Sequence, residues 1–223
     1  HAKKTADKPR LALADARANR LQIDWSGYQP EKPSFLGLKT LRDQDLSALA
    51  EYIDWGPFFR TWELKGSYPA ILDDPEKGPA ARTLFSDAQE MLERIVAQKL
   101  LRAHASIGFW PANQVDDDDI AIYADESRGG RLAVLHTLRQ QMMRRTGTQP
   151  NIALADFIAP ASSGFGDYIG GFALTTGIGE EAQSEIFAKA HDDYNRILFK
   201  SLADRLAEAF AEYLHAKVRR EFW

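Results

Sequence analysis

The chain has 223 residues, no cysteine, and a formal net charge of −4 from 28 basic and 32 acidic residues that are well mixed along it. The absence of cysteine excludes a disulfide framework, thiolate catalysis and a cysteine-type zinc site, and it fits a cytoplasmic location. The mixed charge argues against a nucleic-acid-binding surface, which needs a concentrated basic stripe. No apolar run approaches the ~20 residues that span a bilayer, so we expect no membrane partner.

The first segment, residues 1–35, is rich in lysine, aspartate and proline and is predicted to be an arm or linker with one amphipathic patch between Leu11 and Leu21. It has no apolar stretch behind its lysines, so it does not resemble a secretory signal. Because the sequence lacks an initiator methionine, the simplest interpretation is a piece of a longer polypeptide. We take residues 36–223 as the folded domain.

Helical periodicity dominates the first half of this domain. From Asp43 onward apolar residues recur three or four positions apart, and Gly56-Pro57 is expected to break this helix so that Pro57 opens the next one. A longer helix is predicted from about Pro79 to Leu101. Its apolar stripe consists of Leu84, Ala88, Met91, Leu92 and Ile95.

The period changes in the middle of the chain, where short β-type runs are separated by turn residues. These runs are SIGFW, DIAIYA, RLAVLHTL, ALADFIA and DYIGGFALTT. From Glu180 to Trp223 there is neither Gly nor Pro, and a helical stripe continues through most of this length, with a break expected near Lys200. Strands gathered between helices predict an α+β fold with an antiparallel central sheet and long flanking helices.

Three sequence patterns could suggest nucleotide binding, metal binding or catalysis, but each has a simpler explanation. TTGIGEEA, Thr175 to Ala182, contains G-x-G-x-x-A, but the second strand of a dinucleotide-binding unit is missing, so a tight strand-to-helix turn is favoured. The run Asp116 to Asp119 lacks the spacing of a calcium loop and is interpreted as a solvated turn. The five histidines share no metal-ligand spacing, and no serine lies in G-x-S-x-G. We therefore predict no catalytic constellation and no metal site.

Two acidic positions carry more information. Asp54 lies at a helix end among aromatic residues, a setting that suits a ligand with both a cation and a flat ring, although a helix-terminal aspartate beside Gly-Pro is also common. Asp204 and Glu208 are four residues apart and share the helix face opposite the buried stripe. Two like charges at this spacing cost a few tenths of a kcal/mol unless a cation compensates. Lys200 and His215 lie on the same face and could do so, which would make it an ordinary solvated surface.

Several longer segments resemble the C-terminal activation domain of cobalamin-dependent methionine synthase. They occur in the order of that family across about residues 35–223. They are YIDWGPFFRTWEL, GFWPANQV, DIAIYADESR, the LRQQ that begins at Leu138, LADFIAP, DYIGGFA, HDDYN and LADRLAEAFAEYLHAKVR.

The resemblance implies a curved α+β domain with a groove for S-adenosylmethionine. In this family the domain takes part in the reactivation of methionine synthase, a methyltransferase that makes methionine from homocysteine. Oxidised cob(II)alamin, held by a neighbouring cobalamin-binding domain, is methylated again with S-adenosylmethionine and an electron from a flavodoxin-type partner. Positioning rather than acid–base catalysis is the expected task of the domain.

The resemblance also implies roles for four acids. Asp54 matches the aspartate of the family's I-D-W-x-P-F-F motif and Glu208 the first glutamate of L-A-E-A-F-A-E, and both are expected to line the S-adenosylmethionine groove. Asp204, in A-D-R-L, and Glu180, which opens the helix after a strand, are expected to hold the histidine that leaves cobalt in the cobalamin domain. Such contacts would favour the reactivation state by a population shift.

The sequence departs from the family pattern at its end. Family members continue past the final tryptophan and carry an R-x-x-x-G-Y segment that grips the cofactor, whereas this sequence stops at Trp223. We therefore expect either a fragment of a longer protein or a short form with weakened binding.

A second hypothesis is a docking or regulatory module that binds the cobalamin domain or a flavodoxin-like donor without binding S-adenosylmethionine itself. Two basic clusters could attract an acidic electron donor, although surface solvation is the simpler explanation for both and is favoured. They are Arg139, Arg144 and Arg145, and Lys217, Arg219 and Arg220.

Overall fold

A computed structural model describes residues 9–143 and 149–223. Within them the chain forms six α-helices and five β-strands, together with short 3-10 turns. The elements in chain order are α1 Leu13–Ala18, β1 Gly37–Gln44, α2 Leu46–Ala50, α3 Trp55–Thr61, α4 Gly78–Gln98, β2 Arg102–Val115, β3 Asp119–Tyr123, β4 Arg131–His136, β5 Asp167–Ile178, α5 Glu180–Lys189 and α6 Asp193–Lys217, followed by a π-helical turn at Val218–Phe222.

The strands form one sheet with the order β1-β2-β3-β4, and β5 pairs with β2. The β2–β3 and β3–β4 pairs are antiparallel hairpins. The expected α+β fold with an antiparallel sheet is thus confirmed. The described residues group into two compact units: a first unit with the residues up to Leu38, Gly108–Gly171 and Trp223, and a second unit with Lys39–Ile107 and Phe172–Phe222. The boundary near residue 35 stays a prediction.

The second unit contains the larger hydrophobic core. Helices α2, α3, α4 and α5 each pack against α6, the longest helix of the described chain. Fully buried aromatic and aliphatic side chains fill the core, because apolar residues recur at helical spacing on each of these helices. The largest that lie on these helices are Phe58, Phe59, Phe199, Phe210, Leu49, Ile95, Leu198, Leu202 and Leu206.

The first unit depends on buried charge as well as on apolar packing. The guanidinium of Arg139 is fully buried and donates to Asp118 at 2.6 Å and to both carboxylate oxygens of Asp156 at 2.7 and 2.8 Å. Arg17 of α1 reaches the other oxygen of Asp118 at 2.7 Å. Burial raises the pKa of Asp118, but the bonds from Arg17 and Arg139 outweigh it, so the pKa lies below its usual value.

The structure corrects several expectations about elements. The helix expected from Asp43 begins at Leu46, after Asp45 as its N-cap, and the next helix begins at Trp55 rather than Pro57, because the Asp54 side chain caps it. ALADFIA is not a strand but a 3-10 turn at Leu154–Phe157.

The C-terminal helical stretch breaks at residues 190–192, and α6 continues through Lys200 without interruption. The reason is local. His191 adopts a left-handed conformation with φ 54°, and the Asp192 side chain accepts a hydrogen bond from the Asn195 backbone N–H at 3.1 Å, so that it caps α6. The predicted break near Lys200 was therefore wrong in position.

The turn between β5 and α5 is tight. Gly179 has φ 102°, and a Cβ atom added there would lie 2.5 Å from the carbonyl oxygen of Leu100. Only glycine fits both the backbone angle and the close approach. Next to this turn, the buried Thr176 hydroxyl donates to the carbonyl oxygen of Ala203 at 2.9 Å, which fixes β5 against the middle of α6.

Candidate functional site

Asp54 lies at the N-terminus of α3, where its side chain is exposed. One carboxylate oxygen accepts the backbone N–H of Gly56 at 2.9 Å, as an N-cap does. The other oxygen accepts no hydrogen bond from the residues that the structure describes. The capping bond fixes the direction of the carboxylate and leaves one oxygen for an external donor.

The aromatic residues around Asp54 do not form an open cradle. Trp55, Phe58 and Phe59 are buried in the core of the second unit, so their ring faces are closed to a ligand. The ring pair available near this helix end is different. Tyr52 and Tyr213 are half-buried and meet edge-to-face with ring centroids 5.7 Å apart, which joins the chain just before Asp54 to α6.

Asp204 and Glu208 lie on the solvent side of α6, as their spacing predicted: Asp204 is exposed and Glu208 is exposed as well. Among the described residues neither carboxylate has a cation within 4.0 Å or a hydrogen-bond donor. The compensation that the sequence suggested is absent for both: Lys200 pairs elsewhere, and the His215 ring contacts Phe172. Two like charges one helical turn apart thus remain unneutralised.

Glu180 occupies the first position of α5 and is only partly exposed. The Ser184 hydroxyl donates to its Oε1 at 2.6 Å, and Lys200 of α6 lies 3.3 Å from the same oxygen. These contacts lower the pKa of Glu180, the serine bond most strongly, against the opposing effect of burial. The Lys200–Glu180 pair thus joins the start of α5 to α6, one helical turn before Asp204.

Arg139, in the first unit, is neither part of an attractive surface nor solvated, so both alternatives offered for it were wrong. Arg139 is buried and held by Asp118 and Asp156, so it cannot contact a partner. Arg144 and Arg145 lie outside the described residues. The aspartate run at 116–119 is likewise not a simple solvated turn, because Asp118 is buried in the same ion-pair network.

The second basic cluster is partly neutralised. Lys217 pairs with Glu221 at 2.8 Å, whereas Arg219 and Arg220 are exposed. In the described parts of the chain no three His, Cys, Asp or Glu side chains converge as they would around a metal ion. No helix in those parts is long and apolar enough to cross a membrane.

These features define a class of protein: an α+β domain whose exposed, unpaired carboxylates suit the binding of a cationic ligand or partner. A sequence model described as the vitamin B12 dependent methionine synthase activation domain matches residues 45–223. The chain therefore belongs to this family of activation domains, as the sequence motifs indicated.

A solved structure supports the assignment. This chain is similar to the protein in the crystal structure of the MetH reactivation domain bound to AdoHcy. The two sequences are 47% identical, and the two structures superpose with a TM-score of 0.89. The match covers 96% of this chain and 65% of that one, so the chain spans about two thirds of its structural relative.

Sequence reasoning missed two functional details. It placed Lys200 on the Asp204 face but did not find its bond to Glu180, because α5 and α6 are separated by the unpredicted break at His191. It also missed Ser184. A serine four residues after an acid at a helix start is a usable signal, since that spacing puts both on one face.

Proposed function

We propose that this chain binds S-adenosylmethionine and serves in the reductive methylation of cob(II)alamin held by a neighbouring domain of the same enzyme. The observation that carries the proposal is that the carboxylates of Asp54, Asp204 and Glu208 are exposed and have no cation partner among the described residues. They belong to a chain whose sequence is 47% identical to that of a domain bound to AdoHcy. In that reaction S-adenosylmethionine supplies the methyl group. The residues of this chain bind, orient and dock.

The Asp54 region fits S-adenosylmethionine chemically. The ligand carries an ammonium and a sulfonium charge together with a planar adenine, and AdoHcy lacks only the methyl group and the sulfonium charge. The unsatisfied oxygen of Asp54 can accept a charged N–H or a ribose hydroxyl. Glu208 adds a second uncompensated carboxylate, and the Tyr52–Tyr213 pair provides partly exposed aromatic surface.

The Glu180–Asp204 region suits a different ligand, an imidazole. A histidine released from cobalt can donate a ring N–H to one carboxylate, or become an imidazolium between two. Glu180 is kept ionised and oriented by Ser184, and Asp204 is free to accept. We propose that these two acids hold the displaced histidine of the cobalamin domain and so stabilise the docked arrangement.

The parent activity would be that of a methionine synthase, with the flavodoxin-type donor supplying the electron. We also propose a cytoplasmic location, which the cysteine-free sequence supports. The docking module without its own ligand remains the second candidate. The exposed Arg219 and Arg220 favour it, because they could meet an acidic electron donor without any cofactor.

Calorimetric titration of the 223-residue chain with S-adenosylmethionine tests the proposal. We expect saturable binding that Asp54→Asn weakens about tenfold or more, because a hydrogen bond to a charged group is worth roughly 1.5–3 kcal/mol. Stability should change by less than about 0.5 kcal/mol, because asparagine caps a helix as well as aspartate does.

Asp45→Asn is the matched control. Asp45 is also an exposed aspartate that caps a helix of the second unit, accepting the Ser47 backbone N–H at 3.0 Å. It should leave the affinity unchanged. Equal weakening by both variants would remove Asp54 from the site. Absence of binding in a folded chain would reject the S-adenosylmethionine proposal in favour of the docking module.

A further inference from the structure

Among the described residues, Lys200 is the cation paired with Glu180, one of the two acids proposed to hold the histidine. Its ammonium lies 3.3 Å from Glu180 Oε1. It precedes Asp204 by one turn of α6, so the two Cβ atoms are about 6 Å apart. Side chains of a helix lean toward its N-terminus, which tilts the Asp204 carboxylate toward Lys200.

Backbone contacts hold the start of α5 against α6, so the Glu180–Lys200 contact does not depend on side-chain positions alone. The Thr176–Ala203 hydrogen bond ties the end of β5 to α6 immediately before Asp204. The Gly179 turn then carries the chain directly to Glu180. Ser184, one turn along α5, orients the Glu180 carboxylate with a hydrogen bond of its own.

The charges of this cluster sum to −1, from two carboxylates and one ammonium. An imidazolium that enters the cluster meets Lys200 as a like charge, and it must share or replace the ammonium at Glu180. The side chains of Lys200 and Glu180 are 55% and 26% exposed, so the ion pair is easily exchanged rather than locked.

We propose that Lys200 is an internal counterion that competes with the incoming histidine for Glu180, and thereby limits how readily the docked state forms. This inference rests on the proposed function of the two acids. Lys200 is a positioning residue, since it acts through Glu180 and touches neither cofactor. Its role is to keep Glu180 compensated while the cobalamin domain is elsewhere, and to release Glu180 when the histidine arrives.

The proposal predicts that removing the positive charge of Lys200 increases the affinity of docking. Lys200→Met should tighten docking of this chain to the cobalamin-binding domain of a vitamin B12-dependent methionine synthase, loaded with methylcobalamin. The readout is the absorption change as histidine leaves cobalt. We expect a roughly two- to fivefold lower dissociation constant, the equivalent of one partly exposed ion pair. A purely structural lysine would weaken docking when removed.

Three further variants make the assignment specific. Lys200→Arg keeps the charge and should behave as the unmodified chain does. Lys189→Met is the matched control. Lys189 also forms a 3.3 Å ion pair with a glutamate, but this partner is Glu185 and not one of the two proposed acids. In a Glu180→Gln background, Lys200→Met should lose most of its effect, because the shared partner is gone.

The outcomes separate the inference from the function on which it rests. If the unmodified chain docks with the spectral change but Lys200→Met docks equally or more weakly, the counterion role is refuted and the histidine contact stands. A gain that persists in the Glu180→Gln background refutes the counterion role as well. If the unmodified chain produces no spectral change, the histidine contact itself is refuted, and the inference with it. Thermal unfolding of each variant confirms that the chain is folded.

Discussion

Acidic side chains are treated in opposite ways in the two units of this molecule. In the first unit, Asp118 and Asp156 are buried and both are bonded to the buried guanidinium of Arg139. In the second unit, Asp204 and Glu208 are exposed and have no cation among the described residues. An acid that the fold neutralises serves stability, whereas an acid left uncompensated is available to a ligand or a partner.

Breaking the buried network gives the largest expected effect. Arg139→Met leaves the buried Asp156 carboxylate without a cation and Asp118 with Arg17 alone, and removal of one partner from a buried ion pair costs about 3–5 kcal/mol. Unfolding in urea, followed by circular dichroism, measures the loss. Arg17→Met is the control, because Arg17 contacts the same Asp118 from a partly exposed position, and its loss should destabilise the fold much less than the loss of Arg139. Similar losses in both variants would contradict the contrast between buried and exposed charge.

Removing an exposed acid should affect docking and leave the fold intact. Asp204→Asn is expected to weaken docking to the cobalamin-loaded domain by about tenfold or more, since a bond to a charged acceptor is worth roughly 1.5–3 kcal/mol. S-adenosylmethionine affinity should not change. Both quantities are measured by titration, with Asp193→Asn at the start of α6 as the control, because Asp193 is exposed but already paired with Arg196. Normal docking of Asp204→Asn would remove Asp204 from the proposed histidine contact.

An intermediate case sharpens the comparison, and its effect is the smallest. Asp43 is exposed yet paired, with Arg102 at 2.8 Å and His104 at 3.1 Å, and these bonds lower its pKa from 3.8 to about 2. Because the pKa of Asp43 is lower in the folded state than in the unfolded chain, ionised Asp43 stabilises the folded state. This contribution is complete when the pH is above the unfolded pKa of about 4, and it is lost as the pH falls toward the folded pKa of about 2.

The measurement compares unfolding midpoints at about pH 5 and about pH 2.5. Arg102→Met removes the first cause of the shift, so part of the acid destabilisation should disappear in that variant. His104→Gln should have a smaller effect in the same direction. An unchanged pH dependence in Arg102→Met would show that the exposed pair contributes nothing to stability.

The sequence was sufficient for the parts of the fold that depend on periodicity. The stripe from Leu84 to Ile95 predicted α4, which ends at Gln98 after the apolar repeat runs out. The alternation in DIAIYA predicted β3. The motifs also predicted the family, which the match over residues 45–223 confirmed.

Local backbone chemistry escaped this reasoning. Nothing in the periodicity distinguishes a left-handed His191 from a helical one, so the break between α5 and α6 was placed about two turns too late. LADF has the apolar content of a strand, but Asp156 bonds back to the Ala153 N–H and turns the chain. The burial of Arg139 could not be seen either, because its partners Asp118 and Asp156 are distant in sequence and only the fold collects them.

Of the candidate site, sequence reasoning supplied the four acids, and the structure supplied their surroundings. Exposure of Asp204 and Glu208 followed from helix geometry. The Asp54 oxygen without a hydrogen-bond donor and the Lys200–Glu180 ion pair could be found only from the structure. The roles of these residues stay predictions for the titrations to decide.

The tight turn at Gly179 has a consequence for mutational surveys of this family. A glycine in a G-x-G pattern usually makes room for a phosphate, but here the vacated space is filled by the carbonyl of Leu100. Any side chain at this position would push two backbone segments apart and displace the start of α5. In a saturation screen scored on activity, residue 179 would therefore rank with the acids proposed to contact a ligand, although its own contact is with the chain's backbone.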